Sequence, residues 1–377
     1  MKELSLVRIE RDKLRALIPS MVVEAPKVDF NLGDNFVCKK SVFCAWPKRH
    51  LTNASSEMND PLPPLARSVS VKIHEGGISR LALSSSGVLA SGSDDCSVKL
   101  FLENGSSPQT LSGHCAFVSG LAFHPTDSRL LLSSAGDGEI RVWNSTNVSA
   151  ILHEHSTVVW TIDIHPSGSY AVTASMDHSL KLIDLVSLKS RLALRGHFDS
   201  VNCGVFGDHL AANIDSNVVL SGSADKSVSL WDVRSRQRIQ TLAGHTNSVN
   251  TVAVQAGPIF ATGDADGTVK FWDSRNLRFA LDGISVGSSN VVHSARFHPT
   301  NPSLLAVATS DGNLRIVSVE GPSILQTIGA GEGEILDCVW KTGREIFIAD
   351  TQGCLTTLCP ICAQEEVSMP IPDTANL

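Results

Sequence analysis

The sequence predicts an all-β protein whose seven four-stranded blades close into a β-propeller behind a short N-terminal arm. Three observations lead to this fold class. A Gly-His pair, an Asp about twenty residues later and a Trp-Asp pair recur through most of the 377 residues, with a period of about 42 residues. Runs of about four to six residues alternate apolar and polar side chains, as half-buried strands do. Asp-Gly pairs, which favour tight turns with positive φ, separate several of these runs.

The repeated signature is complete in three of the predicted blades. Its members are a His, a Ser or Thr four positions before the Asp, the Asp itself, and a Trp six positions after it. They are His114, Ser133, Asp137 and Trp143 in blade II, His197, Ser221, Asp225 and Trp231 in blade IV, and His245, Thr262, Asp266 and Trp272 in blade V. This pattern is typical of WD repeats, in which each repeat corresponds to one blade.

Blades I and III keep three members of the signature, whereas blades VI and VII lose most of them. The corresponding residues are His74, Ser91, Asp95 and Phe101 in blade I, His155, Thr173, Asp177 and Ile183 in blade III, Ser288, Val307, Asp311 and Val317 in blade VI, and Gly331, Ile348, Gln352 and Leu358 in blade VII. Buried polar groups that satisfy one another should be kept or lost together, because removing one strands its partners at about 1–3 kcal/mol each. We therefore interpret these His and Asp residues as structural.

Closure of the ring requires a strand from one end of the chain to complete blade VII. Residues 68–73 match the outer strands of the other blades, and residues 366–371 compete for the same edge. We favour the N-terminal segment. An insertion at residues 207–217 lengthens one loop of blade IV. The predicted organisation is an arm with a Pro-rich linker over residues 1–66, a propeller over 67–370 and a C-terminal tail over 371–377.

Three features invite a chemical interpretation, but none forms a complete site. Cys359 and Cys362 have the spacing of a zinc knuckle without a second ligand pair, so we favour free thiols over zinc. The Gly-rich segment 329–334 lacks the third Gly and the following helix of a phosphate-binding loop. Asp94 and Asp95 are adjacent carboxylates, but Asp95 already belongs to the repeat. We therefore expect no catalytic residue, no cofactor and no metal.

Charge and cysteine content narrow the range of partners. The net charge is −7 and only one Tyr is present, which disfavours nucleic-acid binding. Nine scattered cysteines suit a reducing compartment, and the sequence shows neither a signal peptide nor a membrane-spanning run. We therefore expect a cytoplasmic protein that binds other proteins. Its arm either stays disordered or docks its aromatic residues on the propeller or on a neighbour.

One mouth of the ring should be lined by three positions of each blade: the third and fifth residues after the His, and the residue before the Asp. In blades II and III four of these six positions hold large apolar side chains, and we call Phe117, Val158, Trp160 and Met176 the apolar arc. His293, which has no evident carboxylate partner, is a further candidate for partner binding. Aromatic and Met anchors contribute about 2 kcal/mol or more at interface hot spots. Alternatively, Phe117 and Trp160 fill the upper core of their blades.

Five segments are more specific than the repeat signature: residues 158–160, 192–202, 224–232, 244–250 and 264–275. They resemble the propeller of the axonemal central-apparatus family known as sperm-associated antigen 16. The resemblance implies a non-enzymatic, microtubule-associated scaffold in the cytoskeleton of cilia or flagella, with central-apparatus proteins as partners. Two other classes stay open: a substrate receptor for ubiquitin ligation, and a subunit of a vesicle-coat or ribosome-assembly complex.

Overall fold

The computed structural model describes residues 63–102, 107–207, 217–255, 257–287, 290–329, 333–341 and 343–360. All regular secondary structure in these segments is β-strand, and the 28 strands form seven antiparallel sheets of four strands each. The prediction of an all-β, seven-bladed propeller is confirmed. These segments contain no helix of the length and apolarity that a membrane crossing would need. Outside the described residues lie nearly all of the predicted arm (residues 1–62), the competing strand 366–371, the tail 371–377, Cys362, Ser288 and Gly331.

The strands follow one another through short turns, and each blade contains four strands. The first is β1 (Leu65–Lys72). Blade I contains β2 (Ile78–Leu83), β3 (Leu89–Ser93), β4 (Ser97–Phe101) and β5 (Gln109–Ser112); blade II β6 (Val118–Phe123), β7 (Leu130–Ala135), β8 (Ile140–Asn144) and β9 (Asn147–Leu152); blade III β10 (Val159–Ile164), β11 (Tyr170–Ser175), β12 (Ser179–Asp184) and β13 (Lys189–Arg195). Blade IV contains β14 (Val201–Phe206), β15 (Val218–Ser223), β16 (Val228–Asp232) and β17 (Gln237–Leu242); blade V β18 (Val249–Ala253), β19 (Ile259–Asp264), β20 (Thr268–Asp273) and β21 (Gly283–Ser285); blade VI β22 (Val292–Phe297), β23 (Leu304–Thr309), β24 (Asn313–Ser318) and β25 (Ser323–Gly329); blade VII β26 (Ile335–Trp340), β27 (Ile346–Asp350), β28 (Cys354–Pro360) and β1.

Burial changes systematically from the axis to the rim of the propeller. The second strand of a blade is enclosed on both faces, and every residue of β3, β15 and β23 is buried. Such strands are built from small and β-branched residues without polar alternation, as fully buried strands require. The outermost strand faces solvent, and β17 buries only its last residue, Leu242. The repeat therefore encodes one enclosed strand and one half-solvated strand in each blade.

The hydrophobic core is divided into seven clusters, and each cluster lies between two neighbouring blades. The cluster between blades IV and V, for example, joins Leu230 and Leu242 to Phe260 and Trp272. A sheet that is apolar on both faces must bury both of them, and a closed ring gives every blade two neighbours. Removal of one blade would therefore expose two clusters.

The N-terminal strand closes the ring, as predicted. Strand β1 pairs antiparallel with β28, from Leu65 opposite Pro360 to Lys72 opposite Cys354. The side-chain amide of Gln326, on the outer strand of blade VI, brackets Leu65: the Leu65 amide donates to Oε1 at 3.2 Å, and Nε2 donates to the Leu65 carbonyl at 2.7 Å. The first described strand therefore holds blades VI and VII together.

A residue with positive φ follows the position at which the repeat signature places its Asp in all seven blades. These residues are Cys96, Gly138, His178, Lys226, Gly267, Gly312 and Gly353, with φ between 64° and 78°. At Gly353 a Cβ atom would lie 2.3 Å from the carbonyl oxygen of His74, so glycine is required there. The left-handed turn is thus a constant of the repeat, even in blade VII, where Gln352 replaces the Asp.

Candidate protein-interaction face

The four signature residues of blade II form one hydrogen-bonded chain. His114 Nδ1 lies 3.1 Å from Asp137 Oδ2, and His114 Nε2 lies 2.7 Å from Ser133 Oγ. The indole N–H of Trp143 donates to the same hydroxyl at 2.8 Å. Because a carboxylate only accepts, Nδ1 carries the hydrogen and Nε2 accepts from the Ser133 hydroxyl. Burial lowers the pKa of His114, against the opposing effect of Asp137. Both nitrogens of the imidazole are therefore occupied.

Blade IV repeats this arrangement. His197 lies 2.8 Å from Asp225 Oδ2 and 2.7 Å from Ser221 Oγ, which accepts the Trp231 N–H at 2.8 Å. Burial alone would raise the pKa of Asp225, but hydrogen bonds from Ser227, Phe198 and His197 outweigh it and bring the pKa to about 2. These contacts give the His and Asp a structural role, as the sequence predicts.

Blades I and III keep the hydrogen-bonded His, Asp and Ser or Thr, but they have no Trp. His74 is 2.8 Å from both Asp95 Oδ2 and Ser91 Oγ. In blade III, His155 lies 2.7 Å from Asp177 Oδ2 and 2.8 Å from Thr173 Oγ1. The positions of the missing indoles are filled by Phe101, which is half-buried, and Ile183, which is buried.

In blade V the sequence predicts the wrong Asp as the hydrogen-bond partner of His245. His245 Nδ1 lies 2.7 Å from Asp264 Oδ2, not from Asp266, whereas Thr262 and Trp272 occupy their predicted places. Asp264 ends strand β19 and is fully buried, and its Oδ1 also accepts the amides of Asp266 and Thr268 at 3.0 and 2.8 Å. Asp266 instead accepts hydrogen bonds at the surface from the side chains of Thr246 and Asn247. Asp264 therefore makes both contacts expected of the signature Asp: it accepts a hydrogen bond from the His, and it accepts the backbone amides of the turn.

Blades VI and VII replace the signature with other polar contacts. In blade VI, Arg315 donates to both carboxylate oxygens of Asp311, at 3.0 and 2.5 Å. Burial alone would raise the pKa of Asp311, but hydrogen bonds from Arg315 and Thr309 outweigh it and hold the pKa well below its usual range. In blade VII, Asp350 Oδ1 accepts the amides of Gln352 and Cys354 at 2.9 and 2.8 Å, as Asp264 does in blade V. The roles of Asp264 and Asp350 were not predicted from the sequence, although both are Asp residues two positions before the expected place.

Within the part of the chain that the structure describes, one cluster has the composition of a metal site. His114, Asp137 and Glu139 bring one ligand atom each within 4.8 Å of one another. The His114 nitrogens are already used by Asp137 and Ser133, and Glu139 pairs with Arg141 at 2.7 Å. Structural contacts account for all three side chains. Cys359 is a free thiol at the end of β28, and the zinc alternative stays untested because Cys362 is not among the described residues.

The fifth residues after the His form a ring of contacts between blades around the mouth. Each polar member from blade I to blade VI reaches the next blade: Ser79 to Val118 O, Ser119 to Val159 O, Trp160 to Ser200 Oγ, Asn202 to Ser248 Oγ, Asn250 to Val292 O and His293 to Glu334. The expectation that His293 has no carboxylate partner is wrong, because its Nε2 lies 3.4 Å from Glu334 Oε2, within ion-pair distance but without hydrogen-bond geometry. Burial lowers the pKa of His293, whereas Glu334 raises it. That partner is on the next blade, where sequence spacing does not reveal it.

The apolar arc forms one surface across blades II and III. The rings of Phe117 and Trp160 lie 6.0 Å apart, and the Trp160 N–H donates to Ser200 Oγ at 2.9 Å. Both aromatic side chains are half-buried. The Met176 amide donates to the Val158 carbonyl at 2.9 Å, and the Met176 residue is 49% exposed. The arc therefore combines a positioned aromatic pair with an exposed flexible side chain.

A large exposed residue near the arc was missed from the sequence. Phe198 is 87% exposed and directly follows His197, on the blade next to blade III. Its amide donates to Asp225 Oδ2 at 3.0 Å, which holds the backbone while the ring stays in solvent. The equivalent residues in blades I, II and III are Glu75, Cys115 and Ser156, so a Phe at this position was the available signal.

Comparisons with known proteins agree with this architecture. The family model described as WD domain, G-beta repeat matches residues 67–101, 105–144, 146–184, 188–232 and 236–273, just over half of the chain. The chain is similar to nuclear distribution protein nudF of Aspergillus niger, with 32% identity over 49% of this chain and 46% of that protein. It is similar to pre-mRNA-processing factor 19 homolog 2 of Arabidopsis thaliana, with 31% identity over 61% of this chain and 43% of that protein.

A shorter relative is covered almost completely. The chain is 26% identical to small ribosomal subunit protein RACK1 of Neurospora crassa over 64% of this chain and 93% of that protein. By contrast, it spans less than half the length of the nudF and pre-mRNA-processing relatives. With five matched repeats and the propeller they form, this chain belongs to the WD40 family.

Proposed function

We propose that this protein is a non-catalytic scaffold that holds a partner protein against the apolar arc of blades II and III. Membership of the WD40 family supports the general role in protein interaction. The observation that carries the proposed site is the exposure of Met176, at 49%, beside the half-buried pair of Phe117 and Trp160. Exposed Met and aromatic side chains on a rigid frame are the residues that anchor interfaces.

The rest of the mouth is less suited to an apolar partner. In blades IV and V the equivalent positions are Ser200, Asn202, Ser248 and Asn250, and their polar groups contact the neighbouring blade or one another. Phe198 adds a solvent-exposed ring at blade IV. A partner that presents an apolar segment would therefore gain most by covering blades II and III and reaching Phe198.

The non-catalytic part of the proposal rests on the bonding of the imidazoles. The ring nitrogens of His74, His114, His155, His197 and His245 all lie within hydrogen-bond distance of their own blade's carboxylate and hydroxyl. A general base needs a nitrogen that can reach a substrate proton. In these five blades both nitrogens are already used.

We further propose that the assembly served is the axonemal central apparatus, on the resemblance of residues 158–160, 192–202, 224–232, 244–250 and 264–275 to sperm-associated antigen 16. A tagged copy expressed in a ciliated cell should then colocalise with the axonemal centre. A purely nuclear or punctate cytoplasmic signal would reject this assignment and leave the scaffold proposal intact. The names of the three relatives given above are not axonemal.

A ribosome-associated subunit is the second candidate. The similarity to RACK1 of Neurospora crassa, which covers 93% of that protein, favours it. Sedimentation of the tagged protein through a sucrose gradient separates the two candidates. Cosedimentation with ribosomal subunits supports the second, and recovery only with detergent-insoluble axonemes supports the first.

The binding site can be tested with a matched pair of exposed residues. Met176→Glu places a charge in the apolar arc, and Ile239→Glu places one on the rim strand β17, where Ile239 is 54% exposed. Because both side chains are largely in solvent, both variants should fold with unchanged thermal melts. Pull-down from the native cell type, quantified by mass spectrometry, should lose the main partner for Met176→Glu only. Equal capture by both variants would exclude the arc as the docking site.

A further inference from the structure

The innermost strands enclose an axial channel with a cavity of about 280 Å³. An inner strand has a free edge, and its amides need acceptors where the blades meet. Side chains supply them: Asp337 accepts the Leu81 amide at 2.9 Å, and Thr161 accepts the Gly204 amide at 3.1 Å. The wall is therefore polar and largely satisfied within itself.

Two arginines in this wall are exceptions. Arg80 lies on β2 of blade I, and only its Nε has an acceptor in the described structure, the Ser119 carbonyl at 3.1 Å. Arg296 lies on β22 of blade VI, and its Nε is buried without a hydrogen-bond partner. Within the segments that the structure describes, neither guanidinium forms an ion pair. Each guanidinium has five N–H donors, and the contacts between described residues account for one donor of Arg80 and for none of Arg296.

The carboxylates near these arginines are engaged with the backbone. Asp337, on β26 between the two arginines, is fully buried and accepts the amides of Leu81 and Cys338 at 2.9 Å each. Asp163, on β10, accepts the amides of Phe206 and Ile164. Burial lowers the pKa of Arg80, and Arg296 lowers it further, whereas Asp337 raises it. Counted as formal charges, the two carboxylates balance the two guanidiniums, so an anion would be held by the guanidinium donors rather than by an excess of positive charge.

We propose that the axial channel binds a free phosphate-class oxyanion, such as inorganic phosphate or pyrophosphate, between Arg80 and Arg296. A planar guanidinium donates two parallel hydrogen bonds to a tetrahedral oxyanion, and such an anion would also give the buried Nε of Arg296 an acceptor. Buried donors without partners are rare in proteins and often mark the place of an ion or a water. The channel volume suits a small anion rather than a peptide.

The test uses the full chain and titration with pyrophosphate and with inorganic phosphate at constant ionic strength. Binding is read from ³¹P line broadening and from calorimetry. Saturable binding to the wild type is expected, and Arg296→Gln and Arg80→Gln should each weaken it by about tenfold or more, because each removes a charge-assisted contact. The control is Arg275→Gln, on the exposed pair with Asp273 at the rim of blade V, which should bind as the wild type does.

The outcomes separate a built site from general charge effects. Absence of saturable binding at millimolar anion would overturn the proposal and assign the unused donors to water. Equal weakening by all three substitutions would also overturn it, because it would indicate bulk charge. If either channel variant fails to fold, Arg296→Lys keeps the charge without the planar fork and should still weaken binding more than Arg275→Gln does. Met176→Glu should bind the anion as the wild type does. The proposed anion site and the proposed partner surface can therefore be disproved independently.

Discussion

Blades IV and VI satisfy their buried polar groups with different residues. Blade IV uses His197, Ser221 and Trp231 as a buried chain that ends on Asp225. In blade VI the positions of the hydroxyl residue and the Trp are Val307 and Val317, both fully buried, and Asp311 pairs with Arg315 instead. Both blades nevertheless have four strands and the same left-handed turn. A blade therefore requires that its buried polar groups be satisfied, not that the signature be present.

The largest expected effect comes from removing the indole of blade IV. Trp231→Ala should lower the free energy of unfolding by about 3–5 kcal/mol, because it leaves a cavity and removes the hydrogen bond from the indole to Ser221 Oγ. Val317→Ala at the equivalent position of blade VI should cost about 1.5 kcal/mol, since it removes two carbons and no hydrogen bond. Urea unfolding of both variants measures the difference. Equal losses would contradict the distinction between the two blades.

A smaller effect should distinguish the two carboxylates of blade V. Asp264→Asn should cost about 1–3 kcal/mol, because the amide cannot serve His245 and two backbone amides together. Asp266→Asn should change stability by less than about 0.5 kcal/mol, since its contacts to Thr246 and Asn247 are at the surface. Thermal melts of the two variants check the assignment. A larger loss for Asp266→Asn would show that the sequence spacing had indicated the correct residue.

This pair also shows how far sequence reasoning extends. The period, the strand pattern and the complete signatures of blades II and IV predict the ring and its internal contacts, because both are set within one repeat. Spacing alone does not choose between Asp264 and Asp266, since Asp264 ends strand β19 and Asp266 lies in the turn that directly follows it. The choice depends on which carboxylate reaches both His245 and the turn amides, which is a three-dimensional property.

Contacts between blades are the second limit of sequence reasoning. His293 and Glu334 belong to different repeats, as do Trp160 and Ser200. A repeat signature describes one blade and contains no information about which side chain of the next blade lies opposite. The arc residues could therefore be predicted to lie at the mouth, but their contacts with the next blade could not. The exposure of Phe198 is likewise a property of the folded loop.

The smallest expected effect concerns pH and again separates the blades. Burial, the largest cause, lowers the pKa of His74, His114, His155 and His197 from 6.5, although an Asp opposes it in each case. Below pH 6.5 the unfolded imidazole takes up a proton that the folded one does not. Stability is therefore fully present above pH 6.5 and falls as the pH drops below that value, by at most about 1.4 kcal/mol per pH unit for each His.

Urea midpoints measured between about pH 7.5 and pH 5.0 test this dependence. His197→Gln should reduce the slope relative to the wild type, because one imidazole no longer titrates. Arg315→Gln in blade VI should lower the midpoint at every pH without changing the slope, since it removes no imidazole. The carboxylate of Asp225, with its pKa of about 2, loses its contribution only as the pH falls from 3.8 toward that value, outside this window. An unchanged slope for His197→Gln would mean that the buried imidazole is protonated as easily in the folded blade as in the unfolded chain.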